Sequence, residues 1–391
     1  MIPQPHGGRL VERLLPDGRR AELESSLGSM PSVELAVDQV YDLTKIGSGA
    51  YSPLEGFMDS ATLQSVLDHG RLPSGLPWSL PIHLPLPREE DRSASEKFKP
   101  GETIALVDPS GRLRGTLHFE ERFRFDRQHL AESAFGTVDP SHPNVGEILR
   151  GSDIALAGRI EAIPDAPSFA GVAELTPRAM RELFQQKGWK SVAAYQCRNP
   201  PHTAHEYIQR LTLEREDVDG LLIHPVVGRL KTGDYRPEVI IQAYEALVKG
   251  YCSPQRVLLS PFTVSMRYAG PKAALFLAIV RKNFGCSHYI VGRDQAGVGK
   301  FYDPYACHRI FDQFDIGVVP LRYEESFYCR TCGSMASSKV CPHPPSDRVD
   351  TSQTRIRKAL AEGGDIPVEL LRPEVAAILR QPNVLLKEGD H

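Results

Sequence analysis

Ser191-Val192-Ala193-Ala194-Tyr195-Gln196-Cys197-Arg198-Asn199-Pro200-Pro201-His202-Thr203-Ala204-His205 is the stretch on which the fold turns. Its first five residues are short, uncharged and mostly apolar, the pattern of a strand buried on both faces. Asn199-Pro200-Pro201 then forces an extended turn, because proline has no N–H to continue a helix and restricts the residue before it. A helix is expected over 202–214. His202 and His205 are three apart, so both fall on one face of its first turn. Free N–H groups and the helix dipole at that end favour a phosphate, and two imidazoles can add donors.

Outward from this stretch the same rhythm repeats. A helix over 176–186 with Pro177 at its first position precedes it. Strands are expected at 220–224, 256–260, 288–292 and 316–320, and helices at 236–249 and 271–284. Strands of about five apolar residues alternating with helices indicate a parallel, doubly wound α/β sheet. Ligands of such sheets bind beyond the carboxyl ends of the strands. The loops after Tyr195, Ile223, Leu259 and Val291 are therefore where chemistry belongs.

Residues 1–167 read differently, as a mostly β domain. The run 78–86 is strand-like, with prolines that point to a sheet edge. Residues 103–107, the turn Asp108-Pro109-Ser110-Gly111 and residues 114–119 read as a hairpin. Residues 154–160 are another strand, and 163–167 a linker. The catalytic unit would be 168–325. A smaller C-terminal unit, 326–391, holds a basic helix over 352–362 and a last helix starting at Pro373.

Three arginines mark strand ends on one edge. Arg198 follows the first strand, Arg267 lies in Met266-Arg267-Tyr268-Ala269-Gly270-Pro271, and Arg293 lies in Gly292-Arg293-Asp294-Gln295-Ala296-Gly297. One arginine alone reads as a surface ion pair. Three facing one cleft read as an anion site. Net charge is −3, so such a site must be local, and nucleic acid or membrane lipid is not an expected partner. No apolar run reaches the length of a membrane span and no signal-type core begins the chain, so a cytoplasmic enzyme is expected.

Of seven cysteines, three are clustered. Cys329 and Cys332 form a C-x₂-C pair, and Cys341 and His343 follow after eight intervening residues. Three thiolates and an imidazole suit a tetrahedral, structural zinc site. The other reading is a redox pair or free thiols.

Over nearly its whole length the chain resembles the ATP sulfurylase family. The matching segments are Gln196 to His205, Gly292 to Gly297, 47–58, 231–234, 266–271, 354–357 and 373–375. The resemblance implies a PUA-like first domain, a Rossmann-like nucleotidylyltransferase domain and, as in some bacterial members, bound zinc. It implies ATP and sulfate as substrates, adenylylsulfate and pyrophosphate as products, and a homodimer or larger homo-oligomer. By the same resemblance, Gln196, Arg198 and the backbone of Ala296 would hold sulfate. Cys197, Arg198 and Asn199 sit at active-site positions. His202, His205, Gly292, Arg293, Asp294 and Gln295 would hold ATP phosphates and ribose, and the backbone near Glu324 would approach adenine. The family usually has His where this chain has Gln295, and Thr where it has Cys197. No Gly-x-x-x-x-Gly-Lys-[Ser/Thr] loop is visible, so an appended adenylylsulfate kinase domain is not expected. Mg²⁺ on the β- and γ-phosphates is expected as for phosphoryl transfer generally.

Two other readings compete. One is a His-x-x-His adenylyltransferase acting on a nucleotide or pantetheine phosphate, against which Arg198 and 292–297 speak. The other is an RNA-binding protein. The direction of the reaction, towards adenylylsulfate or towards ATP, is open.

Overall fold

The computed structural model describes all residues except 1, 17, 87–88, 231, 350, 352, 362–365 and 388–391. Lys231, Ser352 and Glu362, which bound the segments 231–234 and 352–362 given above, lie outside the described residues.

The N-terminal sheet contains β1 (Ser32–Glu34), β2 (Gly56–Phe57), β3 (Leu84–Pro85), β4 (Thr103–Val107), β5 (Leu113–Arg124) and β6 (Ile154–Ala162), in the order β1-β4-β5-β6-β2, with β3 also on β6. The hairpin expected after residue 103 is present as β4–β5, and the Asp108 carboxylate closes its turn by accepting from the N–H of Ser110 and Arg112. The expected strand over 78–86 shrinks to Leu84–Pro85. Pro81 and Pro85 supply no ladder donors, so little of the run can pair.

A two-residue hairpin, β7 (Ser168–Phe169) with β8 (Val172–Ala173), leads to the second sheet. That sheet is parallel throughout: β9 (Val192–Tyr195), β10 (Gly220–Ile223), β11 (Val257–Leu259), β12 (His288–Val291) and β13 (Val319–Arg322), ordered β11-β10-β9-β12-β13. The last strand starts three residues later than expected. Gly317, at φ +66°, turns the chain there, with its N–H on the Asp315 carboxylate.

Period-2 alternation splits these strands between two cores. Val192, Ala194 and Leu222 join the large core shared with the N-terminal sheet and with helices Pro177–Gln186 and Pro271–Asn283. Ala193, Tyr195, Leu221 and Ile223 join a second core with helices Pro237–Tyr251 and Pro373–Leu379. A three-stranded sheet, β14 (Ser326–Cys329), β15 (Ser334–Ser337) and β16 (Arg348–Val349), forms a small lobe ordered β15-β14-β16.

Ion pairs tie helix Val37–Gly47 of the N-terminal unit to segments flanking the second sheet: Lys45 with Glu174, and Asp42 with Arg267. Arg267 is therefore not part of the arginine cluster expected at the strand ends, because its charge is spent at this junction.

Two histidines are buried in the same region. Burial holds the His6 ring down to about 4, against a hydrogen bond to Pro77. Burial, and then the charges of Arg281 and Lys45, hold His224 well below its usual range. Both rings are neutral in the fold. Below pH 6.5 the unfolded chain takes up protons that the folded chain refuses, so stability falls with pH. For His6 the fall runs from 6.5 to about 4, approaching about 1.4 kcal/mol per pH unit. A lower urea midpoint at pH 5 than at pH 7 is expected, with a shallower pH slope for His6→Gln. Equal slopes would contradict this account.

Candidate active site

In the order β11-β10-β9-β12-β13, chain progression reverses between β9 and β12. The connections leave those strands on opposite faces, so their loops part and open a crevice. Only His288 and Tyr289 of β12 register with β9. A cleft of about 740 Å³ occupies this point, lined by Gln196, Cys197, Arg198, Asn199, His202 and His205 from one loop and 292–297 from the other. The rest of its wall includes Met266, Tyr268, residues 324–327, Arg348, Val349 and Thr351. All the expected site residues line it except Arg267 and the four possible metal ligands.

The helix after β9 spans Thr203–Leu213, with His202 as its N-cap in extended backbone (φ −128°, ψ 172°). One of the free N–H groups expected there is taken: Thr203 donates to Leu370. The rings of His202 and His205 stack with centroids 3.7 Å apart. Burial, and then its neighbour His205, hold His202 well below the usual range, so this ring offers an N–H rather than a charge. Nδ1 of each ring and Oε1 of Gln196 are buried without a hydrogen-bond partner among the described residues. Buried polar atoms left unpaired are costly, and three in one cleft mark where a polar ligand belongs.

Arg198 is held from two sides. Its guanidinium donates to the Tyr268 hydroxyl at 2.7 Å, stacks over that ring at 5.0 Å, and lies 4.0 Å from the Asp234 carboxylate. Asn199 accepts from Arg357 at 3.3 Å. Tyr268, Asp234 and Arg357 were not singled out from sequence as site residues. Tyr268 sits beside Arg267 in a segment without regular structure, and only the fold shows which of the two enters the cleft.

The Cys197 thiol lies 3.9 Å from His205 Nε2 and accepts from the Asn199 N–H at 3.4 Å. Burial pushes the thiol up, but His205 and that N–H outweigh it and bring it to about 6.

In the facing loop, Asp294 and Ala296 adopt positive φ, +52° and +57°. Such backbone is costly outside glycine and persists where its surroundings over-determine it. Gln295 supplies part of that support: its Oε1 accepts from the Gly292 N–H and its Nε2 donates to the Tyr289 hydroxyl. The Gly292 N–H, expected to serve the nucleotide, is thus engaged within the loop. Ala296 O accepts from the Gly270 N–H, which ties this loop to the start of helix Pro271–Asn283. Arg293 is exposed, 3.9 Å from Glu325. The Glu324 side chain turns to Ser338 and Lys339, which follow β15 in the small lobe.

In that lobe Cys329, Cys332, Cys341 and His343 bring their ligand atoms within 4.8 Å of one another, and they are the one such group found among the described residues. Cys332 Sγ is 3.8 Å from Cys341 Sγ, and His343 Nδ1 is 3.4, 3.3 and 3.6 Å from the three sulfurs of Cys329, Cys332 and Cys341. No disulfide joins any of the seven cysteines. The set can hold a metal ion.

A parallel sheet with its crevice at the switch point, and a His-x-x-His pair at the start of the helix beyond, defines a nucleotidyltransferase. The comparisons are more specific. The ATP-sulfurylase family model matches residues 172–382 and a PUA-like domain model matches residues 3–165. The chain is 46% identical over 380 residues to a sulfate adenylyltransferase of Symbiobacterium thermophilum, covering 96% of this chain and 95% of that one. It is 44% identical over 392 residues to one of Hyperthermus butylicus, covering 100% and 99%. A solved structure described as a hexameric APS kinase from Thiobacillus denitrificans superposes with TM-score 0.74 at 28% identity, covering 97% of this chain and 68% of that one. The chain belongs to the ATP-sulfurylase family.

Proposed function

We propose that this sulfate adenylyltransferase works by direct in-line attack of a sulfate oxygen on the α-phosphorus of ATP, with release of pyrophosphate and no covalent enzyme intermediate. Sulfate is a dianion at neutral pH and needs no base. The obstacle is repulsion between two anions, about 4 kcal/mol per pair of unit charges at 4 Å and an effective dielectric of about 20. The observation that carries this reading is the composition of the switch-point cleft: a braced Arg198 beside two imidazoles with unpaired nitrogens.

In this reading Arg198 orients and neutralises sulfate, with Gln196 and the backbone of Ala296 beside it. His202 and His205 donate to the α- and β-phosphate oxygens as charge builds on the leaving pyrophosphate. Cys197 and Asn199 shape the loop that holds Arg198. Gly292 to Gln295 form the opposite wall for phosphates and ribose, and the backbone near Glu324 approaches adenine. Since the group at Cys329 is the one metal-type set among the described residues, Mg²⁺ would arrive on the triphosphate, where it neutralises charge. The test is sulfate-dependent exchange of labelled pyrophosphate into ATP. Exchange is expected only with sulfate present; exchange without it, or a trapped adenylyl-enzyme, would overturn the mechanism.

The metal set is proposed to hold structural zinc. Zinc bonds of about 2.3 Å to sulfur and about 2.0 Å to nitrogen, arranged tetrahedrally, need S···S edges of about 3.8 Å and S···N edges of about 3.5 Å. Four of the six edges, at 3.3–3.8 Å, agree with this, and all six lie within 4.8 Å. No helix among the described residues is long and apolar enough to cross a membrane. The free thiols support a reducing, cytoplasmic compartment. A homodimer or larger homo-oligomer is proposed from the relative described as hexameric.

A further inference from the structure

We infer that Asn144 of the N-terminal domain is a positioning residue for sulfate binding: by holding the main chain of Tyr268, it sets the side chain against which Arg198 rests. The inference rests on the reading of Arg198 given above.

Tyr268 lies in a stretch, 263–269, that is neither helix nor strand, so its N–H and C=O need partners from elsewhere. Both partners come from one short segment of the N-terminal domain. The N–H donates to Asn144 Oδ1 at 3.0 Å, and the C=O accepts from His142 Nε2 at 2.9 Å. His142 Nδ1 accepts from the Val145 N–H at 3.4 Å, so Nε2 is the ring nitrogen that carries the proton. The chain turns tightly about Tyr268, with the Ala269 N–H on Arg267 O at 2.8 Å.

The segment that grips Tyr268 is itself well seated. Asn144 is in the first turn of helix Pro143–Arg150, which His142 caps. Val145, next to it, is buried in the large core. The N-terminal domain thus fixes both main-chain groups of the residue whose hydroxyl and ring meet Arg198.

Without the Asn144 oxygen, the Tyr268 N–H is left unpaired, and the segment shifts to relieve that cost. Tyr268 then leaves its place against Arg198. The guanidinium has acids to turn to: Asp234 is 4.0 Å away, and the charge of Asp294 also acts on it. A guanidinium drawn towards either is less open to sulfate. ATP, proposed to sit on the imidazoles and the facing loop, depends on other segments. Asn144 is a cleaner position to change than His142, whose ring also packs on Phe301 and Tyr302 in the segment after the facing loop.

The test measures KM for both substrates, with binding of a non-hydrolysable ATP analogue as the check on folding. Asn144→Ala is expected to raise KM for sulfate about three- to tenfold, the worth of one hydrogen bond, with KM for ATP nearly unchanged. If Asn144→Ala does not bind the analogue, Asn144→Gln, which keeps the amide but displaces its oxygen by one methylene, takes its place. Tyr268→Ala should raise KM for sulfate at least as much, and adding Asn144→Ala to it should change nothing further, since the side chain through which Asn144 acts is gone. Parallel loss of both substrates, an unchanged KM for sulfate in Tyr268→Ala, or a full further loss in the double variant would overturn the inference. Arg198→Gln is measured beside them. If its KM for sulfate does not rise, the reading of Arg198 falls; if it rises while that of the Asn144 variant does not, the inference alone falls.

Discussion

Replacement of Arg198 by Ala is expected to lower kcat/KM for sulfate by roughly three orders of magnitude, because single preorganised donors at a site of charge stabilisation are worth about 10²–10³ each and Arg198 also carries a full charge. The loss has three parts. Sulfate loses its cation, Tyr268 loses the guanidinium on which its hydroxyl and ring rest, and Asp234 loses the counter-charge 4.0 Å from it. The third makes the site more negative where an anion must enter, so the effect exceeds that of deleting a donor. Arg198→Lys should recover only part, since an ammonium keeps the charge but not the flat face over Tyr268. The check is steady-state kinetics in both substrates at several ionic strengths. Turnover of Arg198→Ala within a few fold of the parent would remove Arg198 from the mechanism.

Stripping the metal from the small lobe is expected to abolish tight ATP binding. The lobe's own core is Phe327, Cys329, Ala336 and Cys341, and two of these four belong to the set proposed to hold zinc. Val349 and Tyr328 pack this sheet onto the second core, but the end of the lobe at Cys329 and Cys341 has little else to hold it, so a metal in the proposed site would supply folding energy there. β14 begins directly after Glu325, and β16 is registered so that Arg348 opposes Cys329. Arg348 in turn stacks on Phe327 at 4.3 Å, and both residues line the cleft. The wall proposed to face adenine is therefore an extension of the Cys₃His cluster. Affinity for a fluorescent ATP analogue should fall at least about tenfold, a loss of about 1.4 kcal/mol, and return on adding Zn²⁺. Protein shown by mass spectrometry to be metal-free, yet binding the analogue as before, would contradict this coupling.

What was readable in the sequence was local. The segment 191–205 announced a buried strand, a proline-stiffened loop and a helix start, because each depends on neighbours within a few residues. The alternation of apolar runs with helical segments specified a parallel sheet, and with it the edge on which ligands sit. The Cys₃His spacing was legible for the same reason: its four members lie within fifteen residues, Cys329 to His343.

What needed the fold were pairings across long separations and the sides to which neighbouring residues point. Arg267 and Tyr268 are adjacent, and the sequence favours the arginine as the anion ligand. In the structure Arg267 goes to Asp42, a partner 225 residues away, while Tyr268 turns into the cleft and carries Arg198. Gln295, a departure from the residue usual in the family, is expected from the resemblance to hold the nucleotide; bonded to Tyr289 and Gly292, it braces the loop. Asp234 and Arg357 are 123 residues apart. By itself the sequence determined that this chain builds a phosphate-ready helix start after a buried strand, with Arg198 beside it. Only the tertiary structure decided which charges Arg198 meets there, because a counter-charge acts through distance in space, and distance along the chain carries almost no record of it.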